Sequence, residues 1–229
     1  MGTMEANMRK WTFGMMLVAG LLVPATAQAQ GADVKVDAPT DKPAEAKKGG
    51  LVLAGARVGG IVPFSGLSPF VTVGVEVGYV FPWLDQALAA AVHVDYTQPT
   101  KDGTQTDARL NGSTQTYDWK LKEQELAVMP VVMYRLTMLG KFVPYLGVGP
   151  RIYMLKSTTK ASVGDVQISE TTEKNSKVGV GIPLGCEYSI GPGGIIAELL
   201  FQYGGLNHTI TGASNTGAVS LALGYRFLF

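Results

Sequence analysis

Residues 217–229 read Gly-Ala-Val-Ser-Leu-Ala-Leu-Gly-Tyr-Arg-Phe-Leu-Phe, and their alternation decides the fold. One parity carries Val219, Leu221, Leu223, Tyr225, Phe227 and Phe229; the other carries Ala218, Ser220, Ala222, Gly224, Arg226 and Leu228. A strand points successive side chains to opposite faces, so this stretch has one continuous apolar face and one face of small or charged residues. A sheet in water would bury the apolar face and show the other. Here the apolar face is the broader one and runs to a terminal aromatic, as expected of a strand whose outer face meets lipid.

The composition agrees. Of 229 residues, 46% are hydrophobic, only 16% are charged and 29 are glycine, with a mean hydropathy of +0.17. The formal net charge of +1 gives no reason to expect a nucleic-acid partner. The single cysteine, Cys186, has no partner for an intrachain disulfide and no metal-ligand spacing around it, so it reads as a small apolar residue on a strand face. No metal, cofactor or catalytic residue is expected.

The N-terminus has the three parts of a secretory signal: basic Met8-Arg9-Lys10, an apolar run from Trp11 to Val23, and small residues from Ala25 to Ala29. That run is too short to span a bilayer as a helix. Residues 1–29 are therefore read as a cleaved signal peptide. Residues 30–50, rich in Pro, Lys, Ala and Asp without hydrophobic period, are read as a flexible periplasmic linker. No later stretch is a long unbroken apolar helix, so a membrane span must be built from strands.

From Leu51 on, eight segments alternate with period two, at about 51–62, 69–82, 86–98, 117–136, 141–157, 175–190, 194–208 and 215–229. The connections after the second, fourth and sixth are short. Those after the first, third, fifth and seventh are more polar and mostly longer, including Gln98–Thr116 and Ser157–Asn175. Short turns at one end and long polar loops at the other are the asymmetry of a transmembrane barrel. Residues 51–229 are thus expected to form an all-β, eight-stranded antiparallel up-and-down transmembrane β-barrel.

The faces agree from segment to segment. Val71, Val73, Val75 and Val77 fall on the lipid side with Val178, Val180, Ile182 and Leu184; Gly74, Glu76, His93 and Asp95 fall on the lumenal side. A charge at the bilayer midplane costs about 2–4 kcal/mol, yet the mid-strand charges share the parity of the glycines. The fourth segment is apolar on both faces, and its inward side is not fixed by pattern. Pro130, Pro144, Pro150 and Pro183 interrupt predicted strands, where bulges are expected to shift the parity locally. Tyr79, Phe81, Trp83, Tyr134, Phe142, Tyr188, Tyr225, Phe227 and Phe229 collect at the periplasmic rim, and Tyr96, Trp119, Phe201 and Tyr203 at the outer one, as two aromatic girdles.

On this register the lumen receives Arg57, Arg135, Arg151, Lys177 and Arg226, against Glu76, Asp95, Glu125, Glu187 and Glu198. An eight-stranded barrel is just wide enough to be filled by its own side chains. Buried charges persist when paired and hydrogen-bonded. The expectation is a salt-bridged plug, with a narrow polar path for small solutes or ions as the alternative.

The terminal alternation ending at Phe227 and Phe229, with Tyr225 before them, resembles the C-terminal signature of Gram-negative outer-membrane barrels. The stretch Val143-Pro144-Tyr145-Leu146-Gly147-Val148-Gly149 resembles the PYxGxG-like strand of the small OmpA/OmpX-type, porin-family barrels. The resemblance covers about Leu51 to Phe229. It implies residence in the bacterial outer membrane, contact with outer-membrane lipid and lipopolysaccharide, a monomer, and recognition of Tyr225, Phe227 and Phe229 by the barrel assembly machinery.

Two other readings fit less well. A lipid A-modifying barrel enzyme needs a serine beside a base. His93 and Asp95 share a face, but no serine partners them, and His208 has none convincing. A secreted lipocalin would be apolar inside and polar outside, the reverse of this pattern. The polar connections Gln98–Thr116 and Ser157–Asn175 are left as the surfaces through which a structural or interaction barrel would work.

Overall fold

The computed structural model describes residues 49–107, 115–206 and 214–229. The expected signal peptide, nearly all of the linker, and His208 lie outside the described residues. The strands are β1 (Leu51–Pro63), β2 (Phe70–Val80), β3 (Leu88–Thr97), β4 (Thr100–Asp107), β5 (Gln115–Arg135), β6 (Phe142–Val163), β7 (Val166–Ile190), β8 (Gly193–Tyr203) and β9 (Ala218–Leu228). Each pairs antiparallel with its neighbours, and β1 pairs with β9, from Leu53 opposite Leu228 to Pro63 opposite Ala218. β3 and β4 run in one register against β5, since Thr97 faces Glu125 and Thr100 faces Lys122. They are one strand whose ladder is interrupted around Pro99. The fold is therefore a closed eight-stranded antiparallel barrel.

Burial follows the alternation read from sequence. Val71, Val73, Val75 and Val77 are exposed on the outer face, while Glu76, His93 and Asp95 are buried inside. β5 takes its inward side from its odd positions: Ala127, Met129, Val131 and Met133 are buried, and Val132 and Tyr134 face outward. Closure decides this, because pairing β5 to β3 and β6 fixes a parity that an all-apolar sequence leaves open.

The prolines act differently from expectation. Val128 faces Ile152 and Val132 faces Val148, so Pro130 and Pro150 lie opposite one another in an unbroken register. Each removes a ladder donor without adding a residue, and the parity holds. The register shift in β6–β7 falls far up the hairpin, between Ala161 and Ser162.

The connections differ most from the sequence reading. Among the described residues, Thr100–Asp107 and Gln115–Thr116 of the first segment, and Ser157–Asn175 apart from its Gly164-Asp165 turn, are strand and not loop. β6 and β7 have 22 and 25 residues and meet at a tight Gly164-Asp165 turn with Gly164 at φ +55°, a conformation glycine adopts freely. A tilted span needs only about 9–11 residues; β1, β2, β8 and β9 have 11 to 13. β4–β7 therefore project past the barrel as a four-stranded tongue. Its Thr-, Ser- and Lys-rich strands lack an apolar face because both faces stand outside the hydrocarbon, which hides them from a search for hydrophobic period.

The opposite end closes with short turns, Trp83–Gln86, Thr137–Gly140 and Gly191-Pro192. Tyr79, Trp83, Tyr134, Phe142, Tyr188, Phe227 and Phe229 are exposed around it, and Tyr96, Phe201 and Tyr203 are exposed nearer the tongue. Trp119 is not in a girdle. It lies up the tongue on the inward parity opposite Gly103, where an added Cβ would come 2.8 Å from the indole. Cys186 is half-buried, opposite Pro144 and Ala197.

Placing arginine at Val75, in the middle of the outer band, is expected to cost about 2–4 kcal/mol, whereas Val166→Arg at the tongue tip should change stability by less than about 0.5 kcal/mol. Denaturant unfolding of each variant in lipid vesicles checks the contrast. Equal losses would mean that Val75 does not face lipid.

Candidate functional site: the charged bore

Four strands deliver an arginine each to the bore: Arg57 from β1, Arg135 from β5, Arg151 from β6 and Arg226 from β9, all at most 7% exposed. Carboxylates arrive from five strands: Glu76, Asp95, Glu123 and Glu125, Glu187, and Glu198, all at most 6% exposed. Their backbone positions follow from parity alone. Their partners follow from closure, which brings residues distant in sequence to one level.

The arrangement has two linked centres. In the first, Arg226 Nε donates to Glu76 Oε1 at 2.6 Å, and its terminal nitrogens donate to Glu76 Oε2 at 3.0 Å and Glu187 Oε2 at 3.1 Å. Arg135 donates to both Glu187 oxygens at 3.0 and 3.1 Å. In the second, Asp95 is bridged by Arg57 at 2.7 Å and Arg151 at 2.6 Å, and Arg151 reaches Glu125 at 3.6 Å. Arg57 joins the two, 3.4 Å from Glu76 and 3.3 Å from Glu198. Two-point guanidinium–carboxylate contacts such as Arg226–Glu76 are strong and directional.

Aromatic and neutral groups complete the packing. The Tyr145 hydroxyl donates to Glu198 at 2.9 Å, and its ring lies under Arg226, 4.8 Å from centroid to guanidinium carbon. Gln202 donates to Glu125 at 3.3 Å, and Ser157 donates to Glu123 at 3.0 Å. Glycine makes the room. At Gly74 an added Cβ would collide with the Asp95 carboxylate and lie 3.1 Å from Arg57 Nε. Beside the charges the bore holds an apolar cluster, in which Met129, Val131, Met133 and Tyr145 pack with Leu53, Val80 and Leu200. The cavity between Arg57, Asp95, Arg151, Glu198, Gln202 and Ser220 measures ≈ 10 Å³, room for about one water molecule.

Nine of the ten charges expected in the lumen lie in this cluster. Lys177 is half-buried opposite Tyr153, on the tongue side of it. Glu123, Tyr145 and Gln202 join the network without having been singled out for it. Glu123 shares the parity of Glu125 and was legible once the inward side of β5 was known. Tyr145 was visible only as part of a Pro-Tyr motif, and its bond to Glu198 depends on closure.

His93 is fully buried, with Nε2 3.1 Å from Glu76 Oε2. One ligand atom each from Glu76, His93 and Glu198 lie within 4.8 Å of one another. Both carboxylates are already held by guanidinium or phenol donors, which serve in place of a cation. Among the described residues no serine bonds to His93, so the nucleophile–base pair of a hydrolase is not formed there. At the closing seam, Phe229 N donates to Val52 O at 3.0 Å; on the other flank of β9 the Tyr225 hydroxyl donates to Ile190 O, at the end of β7, at 2.7 Å, and Phe227 and Phe229 are exposed outward.

A closed antiparallel barrel with an apolar outer band, aromatic rims and a charged bore defines a transmembrane barrel of the outer-membrane type. The chain belongs to the outer membrane protein β-barrel domain family, whose sequence model matches residues 13–227, and it is an outer-membrane protein. The solved barrels similar to it include the following three. Neisserial surface protein A is 21% identical, with 80% of this chain and 98% of that one covered and a TM-score of 0.46. The attachment invasion locus protein Ail of Yersinia pestis is 15% identical, with 78% and 97% covered and a TM-score of 0.37. OprG from Pseudomonas aeruginosa is 12% identical, with 80% and 97% covered and a TM-score of 0.44. No curated protein matches the chain in sequence.

Arg226→Met takes one donor each from Glu76 and Glu187 and should destabilise the barrel by about 3–5 kcal/mol. Adding Glu76→Met to it should recover a measurable part of that loss. Unfolding midpoints of the two variants in detergent micelles test this; a single variant within 1 kcal/mol of wild type, a bound that rests on the order of an ordinary hydrogen bond, would mean the pairs carry no weight.

Proposed function

We propose that the protein is a sealed, non-enzymatic outer-membrane barrel that acts as a structural and surface-interaction protein through its projecting tongue. The observation that carries this reading is the bore, where each of the four buried arginines is held by at least one carboxylate. A hydrated ion would have to part these pairs, and separating buried charges from their partners costs several kcal/mol. With the bore closed, the remaining distinctive surface is the β4–β7 tongue, and exposed segments on a rigid scaffold are where binding is usually built. In the same reading the protein is exported by a cleaved signal at 1–29, is assembled through recognition of Tyr225, Phe227 and Phe229, needs no cofactor or metal, and stands as a monomer among outer-membrane lipid and lipopolysaccharide.

A narrow pore for small solutes or ions is the competing reading, and conductance separates the two. Mature protein, about residues 30–229, refolded into planar bilayers should be silent. Arg151→Ala and Glu76→Ala should open stepwise currents as the two charge centres come apart. Discrete, ion-selective steps in the wild type would overturn the sealed barrel and make the same charges a filter.

A further inference from the structure

The outer face of the tongue carries a band of lysines directly above the lipid-facing belt. On β5 the outward positions run Val128, Leu126, Gln124, Lys122, Lys120; on β6 they run Ile152, Met154, Lys156, Thr158, Lys160; on β7 they run Val178, Ser176, Lys174, Thr172, Glu170. Leu126, Met154 and Val178 are exposed apolar residues. Same-face positions rise about 7 Å per step along a strand. In tilted strands this puts Lys122 and Lys174, two steps past Leu126 and Val178, roughly 10 Å beyond the apolar belt and Lys156, one step past Met154, roughly 5 Å beyond it, at the height of lipid headgroups.

The registers make the band unusual. Lys156 lies directly opposite Lys174, and Lys120 directly opposite Lys160. Like charges facing across strands are destabilising, and here two such pairs share one face. Lys122 is flanked by Thr158 and Thr100, and Lys156 by Gln124 and Lys174, so no acid sits in register beside either. Glu170 reaches Lys160 at 3.3 Å in the next tier outward. Protection of a sheet edge by lysine accounts for Lys174, but Lys120, Lys122, Lys156 and Lys160 stand on β5 and β6, which are paired on both sides. Between them lies an open depression of ≈ 220 Å³ lined by Lys120, Lys122, Gln124, Lys156, Thr158 and Lys160.

We propose that this band is a binding site for the phosphate groups of lipopolysaccharide in the outer leaflet, with Lys122, Lys156 and Lys174 as its principal ligands. An anion bridging Lys156 and Lys174 turns the repulsion into attraction. Acyl chains packed below it would lie on Leu126, Met154 and Val178. This depends on the outer-membrane location and not on whether the bore is sealed.

The test uses full-length protein in micelles, titrated with rough-type lipopolysaccharide and with the same material dephosphorylated, and reads the retained glycolipid by native mass spectrometry. Wild type should prefer the phosphorylated form. The K122Q/K156Q/K174Q variant should bind it roughly tenfold or more weakly, and K141Q, in the turn at the other end, should bind like wild type. Without lipopolysaccharide the triple variant should be at least as stable as wild type, which separates loss of a site from loss of fold. Equal retention by wild type and triple variant, or indifference to dephosphorylation, would overturn the proposal. So would displacement of the lipid by millimolar inorganic phosphate, since that makes the lysines a site for soluble anions.

Discussion

The structure depends on backbone hydrogen bonding where there is no water to supply it. In hydrocarbon an unpaired N–H or C=O costs several kcal/mol, so a sheet that enters the membrane must close. Here the closing ladder joins β1 to β9 over Leu53–Pro63 and Ala218–Leu228. Closure fixes which face is inside, and the inside of an eight-stranded barrel is too narrow to be left empty. The charges of the bore follow from this. They occupy the face that lipid excludes, and because they are buried there they must find one another.

That order of causes explains why the fold was readable in the chain. The alternation in 217–229 and in the valine run 71–77 states directly which side meets lipid, and prolines did not disturb it because they removed donors without inserting residues. The inward side of β5 could not be read, since Val128–Tyr134 is apolar on both parities, and Glu123 was missed along with it. The tongue was unreadable for a related reason. Thr158, Thr159, Thr171 and Thr172 form strands that have no apolar face to show, because water lies on both sides.

The site was legible at the level of residues and not of partners. Parity put Arg226 and Glu76 in the bore, but they are 150 residues apart and meet only through closure at 2.6 Å. Their pairing is a property of the registers β1–β2 and β1–β9 together: Gly55 faces Glu76 on one side and Arg226 on the other, and as a glycine it leaves the space between them open. The lysine band was likewise present in the sequence as scattered charges. Only the cross-strand register turns them into facing pairs.

The two prolines that meet at Pro130 and Pro150 give the barrel wall an uneven construction. On the β9–β1–β2 side the ladder is continuous. At β5–β6 it lapses between the Val128–Ile152 and Val132–Val148 pairs, and at β6–β7 between the Leu146–Leu184 and Gly149–Gly181 pairs, and the staves there are held by what they press against: Met129, Val131 and Met133 inside, and lipid outside. The barrel thus has one compliant sector in an otherwise stiff hoop. It is the sector that carries the tongue, so strain applied to the exposed sheet would be taken up first by side-chain packing in the membrane and not by the closing seam.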